Sequence, residues 1–185
     1  DETSILIYQM GKVGSSALED AIPGSIHVHT LYMNGPCDAS DRYIYRGIRA
    51  IAHRGRDFFK RMALKNRKKI KIITIVRHPV ERNISMFFQG LSFWMSEYID
   101  QHDRETRAAD IHWLHEVFYK TFNHAYCDNW FDLEIKRLTG IDVFSQVFDL
   151  EEGCSVYESG KYSVMVLKVE DIERNINKIE KFIGK

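Results

Sequence analysis

Residues 5–22 read ILIYQMGKVGSSALEDAI, and this stretch changes character twice. Ile5 to Tyr8 is a short apolar run, which suits a buried strand. Gln9 to Gly14 breaks it with two glycines. Ser15 and Ser16 open a helical pattern in which Leu18 and Ile22 share a face. Strand, glycine loop and helix in this order point free backbone N–H groups at an anion. Gly11 and Gly14 let the chain curl and approach a ligand closely. Lys12 adds a mobile positive charge, and Ser15 and Ser16 add hydroxyl donors. The same residues also satisfy a plainer reading, a tight turn with an N-cap serine.

The Walker pattern GxxxxGK[ST] needs Ser or Thr directly after its Lys to hold Mg²⁺. Here Val13 follows Lys12, and the serines come only after Gly14. That order counts against a metal-dependent nucleotide hydrolase.

The chain has 185 residues and a formal net charge of zero. This length fits one domain with a proper core, residues 1–185. No global field recruits nucleic acid. From Arg42 to Lys71, however, there are 12 Lys or Arg against one acid, Asp57. The default meaning is a solvated basic face; the alternative is a surface for an acidic polymer or a membrane. No apolar run is long enough for a transmembrane segment, and no signal peptide is visible. Cys37, Cys127 and Cys154 are odd in number and far apart, which argues for a reducing compartment rather than a disulfide framework.

Pro23 and Gly24 mark a turn. Ser25 to Leu31, SIHVHTL, alternates as a second strand with His27 and His29 on one face. Asn34 to Ser40 reads as a loop. A helical region then runs to about Asn66, with an apolar stripe of Ile44, Ile48, Ile51, Phe58 and Met62 opposite the basic residues. Ile70 to Val76, IKIITIV, is rich in β-branched residues and suits a central parallel strand. Arg77 follows at its carboxyl end, and Pro79 suits the first turn of a helix. Ligands in open α/β sheets bind outside the carboxyl ends of strands, which puts Lys12 and Arg77 in one layer. Ser92 to Lys120 reads as two helices with a break near Gln101 to Arg104. His112, His115, His124 and Cys127 have helical spacing but lack a matched second pair, so core or surface roles are favoured over metal. Asp128 to Gly140 reads as a helix with Trp130, Phe131, Ile135 and Leu138 inward. Ile141 to Phe148 reads as extended and Glu151 to Gly160 as a loop or hairpin. Tyr162 to Val169 reads as a buried strand. Glu170 to Gly184 reads as an amphipathic helix with Ile172, Ile176, Ile179 and Ile183 aligned.

Strands alternating with helices imply an α/β three-layer domain with a mostly parallel central sheet. The order Lys12, Gly14, Ser15, Ser16 resembles the 5′-phosphosulfate loop of sulfotransferases that use 3′-phosphoadenosine 5′-phosphosulfate (PAPS). IVRHPVERNISMFF, with Arg77 and Ser85 eight residues apart, resembles the motif that binds the 3′-phosphate in that family. The late segment from Tyr162 to Gly184, a strand followed by an acid pair and a helix, also resembles theirs. The family's basic, glycine-containing segment over the 3′-phosphate has no counterpart before Lys185.

The resemblance implies a P-loop NTPase-like sulfotransferase fold and transfer of a sulfuryl group from PAPS to a hydroxyl or amine of an acceptor, with a carbohydrate favoured. Gly11, Lys12, Val13, Gly14, Ser15 and Ser16 would hold the 5′-phosphate, and Lys12 would stabilise the leaving group. Arg77 and Ser85 would grip the 3′-phosphate, adenosine 3′,5′-bisphosphate would leave, and no metal would be required. His29 is the chosen base, with His27 in reserve and a Glu as the alternative. The implied context is polysaccharide biosynthesis in the bacterial cytoplasm, or the Golgi lumen if the sequence is a piece of a eukaryotic protein. Competing readings are an ATP-dependent kinase on the same core and a non-catalytic module that binds an anionic polysaccharide.

Overall fold

The computed structural model describes residues 3–14, 16–32, 48–102 and 110–185. Five strands form one sheet: β1 (Thr3–Tyr8), β2 (Ile26–Val28), β3 (Lys69–Val76), β4 (Cys154–Ser159) and β5 (Tyr162–Lys168). Their order is β2-β1-β3-β5-β4. All neighbours are parallel except the β4–β5 pair at one edge.

β3 occupies the middle, as its composition predicts. Ile72, Ile73, Thr74 and Ile75 are consecutive and fully buried. Successive strand residues point to opposite faces, so both faces of β3 are covered. The same holds for Leu6, Ile7 and Tyr8 in β1. Each such aliphatic side chain contributes about 1.5–3 kcal/mol through burial. Trp130, Ile135, Val164 and Leu167 join this main core. A second apolar cluster, built on Phe87, Trp94, Tyr98, Trp113 and Phe122, holds α3 (Pro79–Gln89), α4 (Leu91–His102) and α5 (Ile111–Thr121) together.

Several elements differ from the sequence reading for identifiable reasons. β2 stops at Val28 because β1 ends opposite it, at Tyr8. The amides of Leu31 and Tyr32 turn instead to the buried carboxylate of Glu134, at 2.8 and 3.1 Å. Helix α2 (Ile48–Lys65) exposes Phe58 and Met62 from the expected apolar stripe, while Leu64 is buried. Ile44 and the loop from Asn34 to Ser40 lie outside the described residues. Ile141 to Phe148 contains a 3-10 turn at Val143–Ser145 rather than a strand. The hairpin alternative for residues 151–160 is the one observed, with Gly160 and Lys161 as its two-residue turn. The final helix, α8 (Ile176–Ile183), is shorter than expected. Buried Asn175 donates to the carbonyls of Glu152 and Asp171, both at 2.9 Å. Two 3-10 turns result, and Ile176 is left exposed.

The Asp128 to Gly140 helix is present as a continuous rod with an irregular centre. Helix α6 (Tyr126–Trp130) runs into a π-helical turn (Phe131–Lys136) and ends as α7 (Arg137–Thr139). Gly140 stops it at φ 76°. Among the described residues, no helix is long and apolar enough to cross a membrane.

Candidate functional site

The strand order reverses direction at β1. From β1 the chain moves to β2 on one side, then crosses to β3 on the other. The crevice outside the carboxyl ends of β1 and β3 is therefore the topological switch point, where open α/β sheets bind ligands. The Gly11–Gly14 loop leaves β1 there, and Arg77 leaves β3 there.

The loop has an unusual backbone. Lys12 is at φ 71° and Gly14 at φ 83°. Among the described residues, Lys12 is the non-glycine with positive φ. A left-handed backbone beside ordinary residues makes a concave row of N–H groups that suits an anion. Among the described residues, no backbone carbonyl engages the amides of Gly11 to Gly14. The loop is fixed from behind. Val13 is buried, and a Cβ on Gly14 would lie 3.0 Å from Val169 at the end of β5. A Cβ on Gly11 would lie 3.2 Å from Met86 of α3. Helix α1 (Ser16–Ala21) follows and buries Leu18, as does Ile22 just beyond it. Ser15 lies outside the described residues, as does the side chain of Ser16.

Arg82 was missed by motif reasoning and proves central to the loop. Its side chain is fully buried, and Nε donates to the Gly11 carbonyl at 2.9 Å. Nη1 donates to Asn83 Oδ1 at 3.1 Å, and the guanidinium lies 4.7 Å from the centroid of the Tyr126 ring. Nη2 is buried without a partner. Among the described residues, no carboxylate pairs with it. An unneutralised buried cation is costly, so its position behind an anion-shaped loop is informative. The periodic signal was present: Arg82, Asn83, Met86 and Phe87 form the buried face of α3. Cys127 donates to the same Asn83 Oδ1 at 3.1 Å. Burial pushes its thiol up, against the opposing pull of Arg82.

Arg77 is part exposed, and its Nε donates to Glu81 Oε2 at 3.1 Å. That bond occupies one edge of the guanidinium and leaves the two Nη groups. Ser85, half-buried, lies one turn along α3 from Glu81.

His29 sits just past β2, beside the strand end that carries the loop. Its Nδ1 lies 3.1 Å from the Gln9 carbonyl. A carbonyl can only accept, so Nδ1 carries the proton and Nε2 is the basic nitrogen. Trp130 Nε1 donates to the His29 carbonyl at 3.1 Å, tying this segment to α6. His27 packs edge-on against His29, with ring centroids 4.4 Å apart. Its Nε2 is 3.1 Å from Glu19 Oε1, although without hydrogen-bond geometry. Burial, followed by His29 and Lys60, pushes the His27 imidazole below its ordinary value against the pull of Glu19.

His124 serves packing: Nε2 donates to the Phe118 carbonyl at 2.8 Å and the ring stands edge-on to Phe118 and Phe122. Among the described residues, no group of His, Cys, Asp and Glu has the geometry of a metal site. Glu170 and Asp171, the acid pair noted in the sequence, follow the tip of β5 in a 3-10 turn. Asp171 is ion-paired to Arg174 at 3.1 Å.

Comparison with known proteins returns one family. Residues 105–184 match the NKWYS family, described as "Putative capsular polysaccharide synthesis protein". No curated protein and no solved structure matches the chain. The carboxyl-terminal part of the molecule, including α5 to α8 and the β4–β5 hairpin, is the part that is similar to this family.

Proposed function

We propose that the protein is a PAPS-dependent sulfotransferase acting on a hydroxyl or amine of a carbohydrate acceptor in polysaccharide biosynthesis. The observation that carries the reading is the left-handed Lys12 between Gly11 and Gly14 at the switch point, backed by the buried Arg82 guanidinium, which no carboxylate among the described residues neutralises. A loop whose amides no backbone carbonyl among the described residues engages, a mobile ammonium and a buried cation together suit a phosphorylated ligand. The strand beside it ends in Arg77 rather than in a carboxylate that would hold Mg²⁺, which favours this chemistry over an ATP-dependent kinase. The match to a capsular polysaccharide synthesis family supports a carbohydrate acceptor.

In this reading PAPS supplies the sulfuryl group, and adenosine 3′,5′-bisphosphate is what leaves. The amides of Gly11 to Gly14, with Ser15 and Ser16, hold the 5′-phosphate. Lys12 stabilises charge that builds on the departing phosphate oxygen. Arg77 and Ser85 hold the 3′-phosphate. His29 takes the acceptor proton at Nε2, its Nδ1–H remaining on the Gln9 carbonyl.

Isothermal titration tests the nucleotide assignment. Adenosine 3′,5′-bisphosphate should bind without Mg²⁺ and at least about tenfold more tightly than ADP, the worth of one charge-assisted hydrogen bond. Arg77→Ala should erase that preference; equal affinities in the parent protein would remove the role of Arg77. His29→Ala should lower sulfuryl transfer by about 10²-fold or more while leaving nucleotide affinity intact. Unchanged transfer would return the base role to His27 or a Glu.

A further inference from the structure

The basic face that the nucleotide reading leaves unused encloses a cavity at the other end of the sheet. Its volume is about 260 Å³, and its lining includes Tyr32, Phe58, Arg61, Lys65, Arg137 and Tyr162. Lys65 ends α2 and Tyr162 begins β5, so the cavity lies towards the amino ends of the parallel strands. The Gly11–Gly14 loop lies at their carboxyl ends. No residue of that loop lines the cavity, although Tyr32 follows His29 by three residues.

The cavity has a built floor. The Tyr32 ring has the Arg61 guanidinium 5.1 Å from its centroid and the Arg137 guanidinium 4.6 Å from it. Arg61 Nη1 donates to the Leu31 carbonyl, and the Leu31 and Tyr32 amides are held by Glu134 beneath. Lys65 adds a third positive charge one turn further along α2, and no carboxylate lines the cavity. Phe58, 51 % exposed, and half-buried Tyr162 supply apolar and aromatic walls. Burial pushes the Tyr32 phenol up, while both guanidiniums pull it down.

Guanidinium forks pair with carboxylates, and aromatic rings stack on the apolar faces of sugars. A cavity below the ~300–1,000 Å³ of drug-sized ligands accommodates about one or two sugar rings. We propose that this cavity docks a carboxylated sugar unit, a hexuronate, of an acidic polysaccharide, at a site apart from the carboxyl tips of the strands. The carbohydrate class rests on the function proposed above; the negative charge rests on Arg61, Lys65 and Arg137.

Calorimetric titration with tetragalacturonate, and with neutral maltotetraose as its counterpart, tests this on the whole chain. Tetragalacturonate should bind saturably and maltotetraose should not. Arg137→Ala, a change at an exposed residue, should weaken tetragalacturonate binding at least about tenfold. Lys12→Ala should leave it unchanged. Absence of saturable tetragalacturonate binding, equal binding of the neutral sugar, or full affinity in Arg137→Ala would each overturn the site. So would loss of binding in Lys12→Ala, which would put the oligosaccharide at the carboxyl tips. Titration of the same samples with adenosine 3′,5′-bisphosphate reads the nucleotide assignment alone, so the two ideas fail separately.

Discussion

Lys12 holds a backbone conformation that its side chain disfavours. A residue with a Cβ in the left-handed region costs about 1–2 kcal/mol, a cost glycine escapes. Such strain persists where the surroundings enforce it, and here they are named: Arg82 on the Gly11 carbonyl, buried Val13, and Val169 against Gly14. If the ammonium is what justifies the strain, stability and activity should separate at this position. Lys12→Gly should be more stable to denaturant than Lys12→Ala by about 1 kcal/mol, because only the latter keeps the Cβ. Both should lose about 10²-fold or more in sulfuryl transfer. If the glycine variant unfolds first, the left-handed assignment fails; if either retains full turnover, the catalytic one does. The neighbouring Arg82 shows what motif spacing alone misses. The resemblance to the 3′-phosphate motif singled out Arg77, at a strand end, and Ser85, within α3, whereas burial singles out Arg82. The period of α3 puts Arg82 on the face of Met86 and Phe87, but the ring it stacks on, Tyr126, comes from more than forty residues away and is not legible from that helix alone.

At the scale of elements, strands were more legible than helix faces. β3 could be read because β-branched residues in an unbroken run suit a strand covered on both faces. β4 was legible only as the hairpin alternative to a loop over residues 151–160, because that stretch is polar and lies at the edge of the sheet. Helix α2 could be placed but not oriented, since it packs through Leu64 and through Arg61 on Tyr32 while Phe58 and Phe59 face out. The π-helical turn left no trace in the sequence, nor did the fully buried Glu134 within it. Its partners, the Tyr8 hydroxyl and the amides of Leu31 and Tyr32, come from more than a hundred residues away. Turns offer a controlled comparison between site and scaffold. Gly14 and Gly160 both have positive φ, at 83° and 55°. A Cβ on Gly14 meets Val169 at 3.0 Å, whereas one on Gly160 meets nothing within 4 Å. Gly160→Ala should therefore cost about 1 kcal/mol in stability and leave titration with adenosine 3′,5′-bisphosphate unchanged. Gly14→Ala should cost more and weaken that binding as well. Equal effects of the two substitutions on nucleotide affinity would mean that the β1 loop is an ordinary turn.

For the whole molecule, the sheet order does what no single motif can. It brings the β1 loop and the β3 tip to one crevice, with the His29 segment held beside the loop through Gln9 and Trp130. Packing imidazoles next to a basic helix has a global consequence, because protonation in that cluster is linked to folding. His27 is held below its ordinary value by burial first, then by His29 and Lys60, with Glu19 opposing. The folded chain thus binds this proton less readily than the unfolded chain. As pH falls from the ordinary histidine value, about 6.5, towards the lower folded value, the unfolded state holds more protons and stability drops. Above that window His27 makes no pH-dependent contribution. Denaturant unfolding at about pH 7.5 and pH 5.5 should show a smaller acid loss in His27→Asn than in the parent, the difference removing the shared effect of the carboxylates. Glu19→Gln should enlarge the loss, since it deletes a carboxylate that favours the imidazolium. Identical acid losses in all three proteins would mean that the imidazole at position 27 titrates as freely in the folded chain as in the unfolded one. The His27–His29 pair would then not be the desolvated cluster that its ring contact describes.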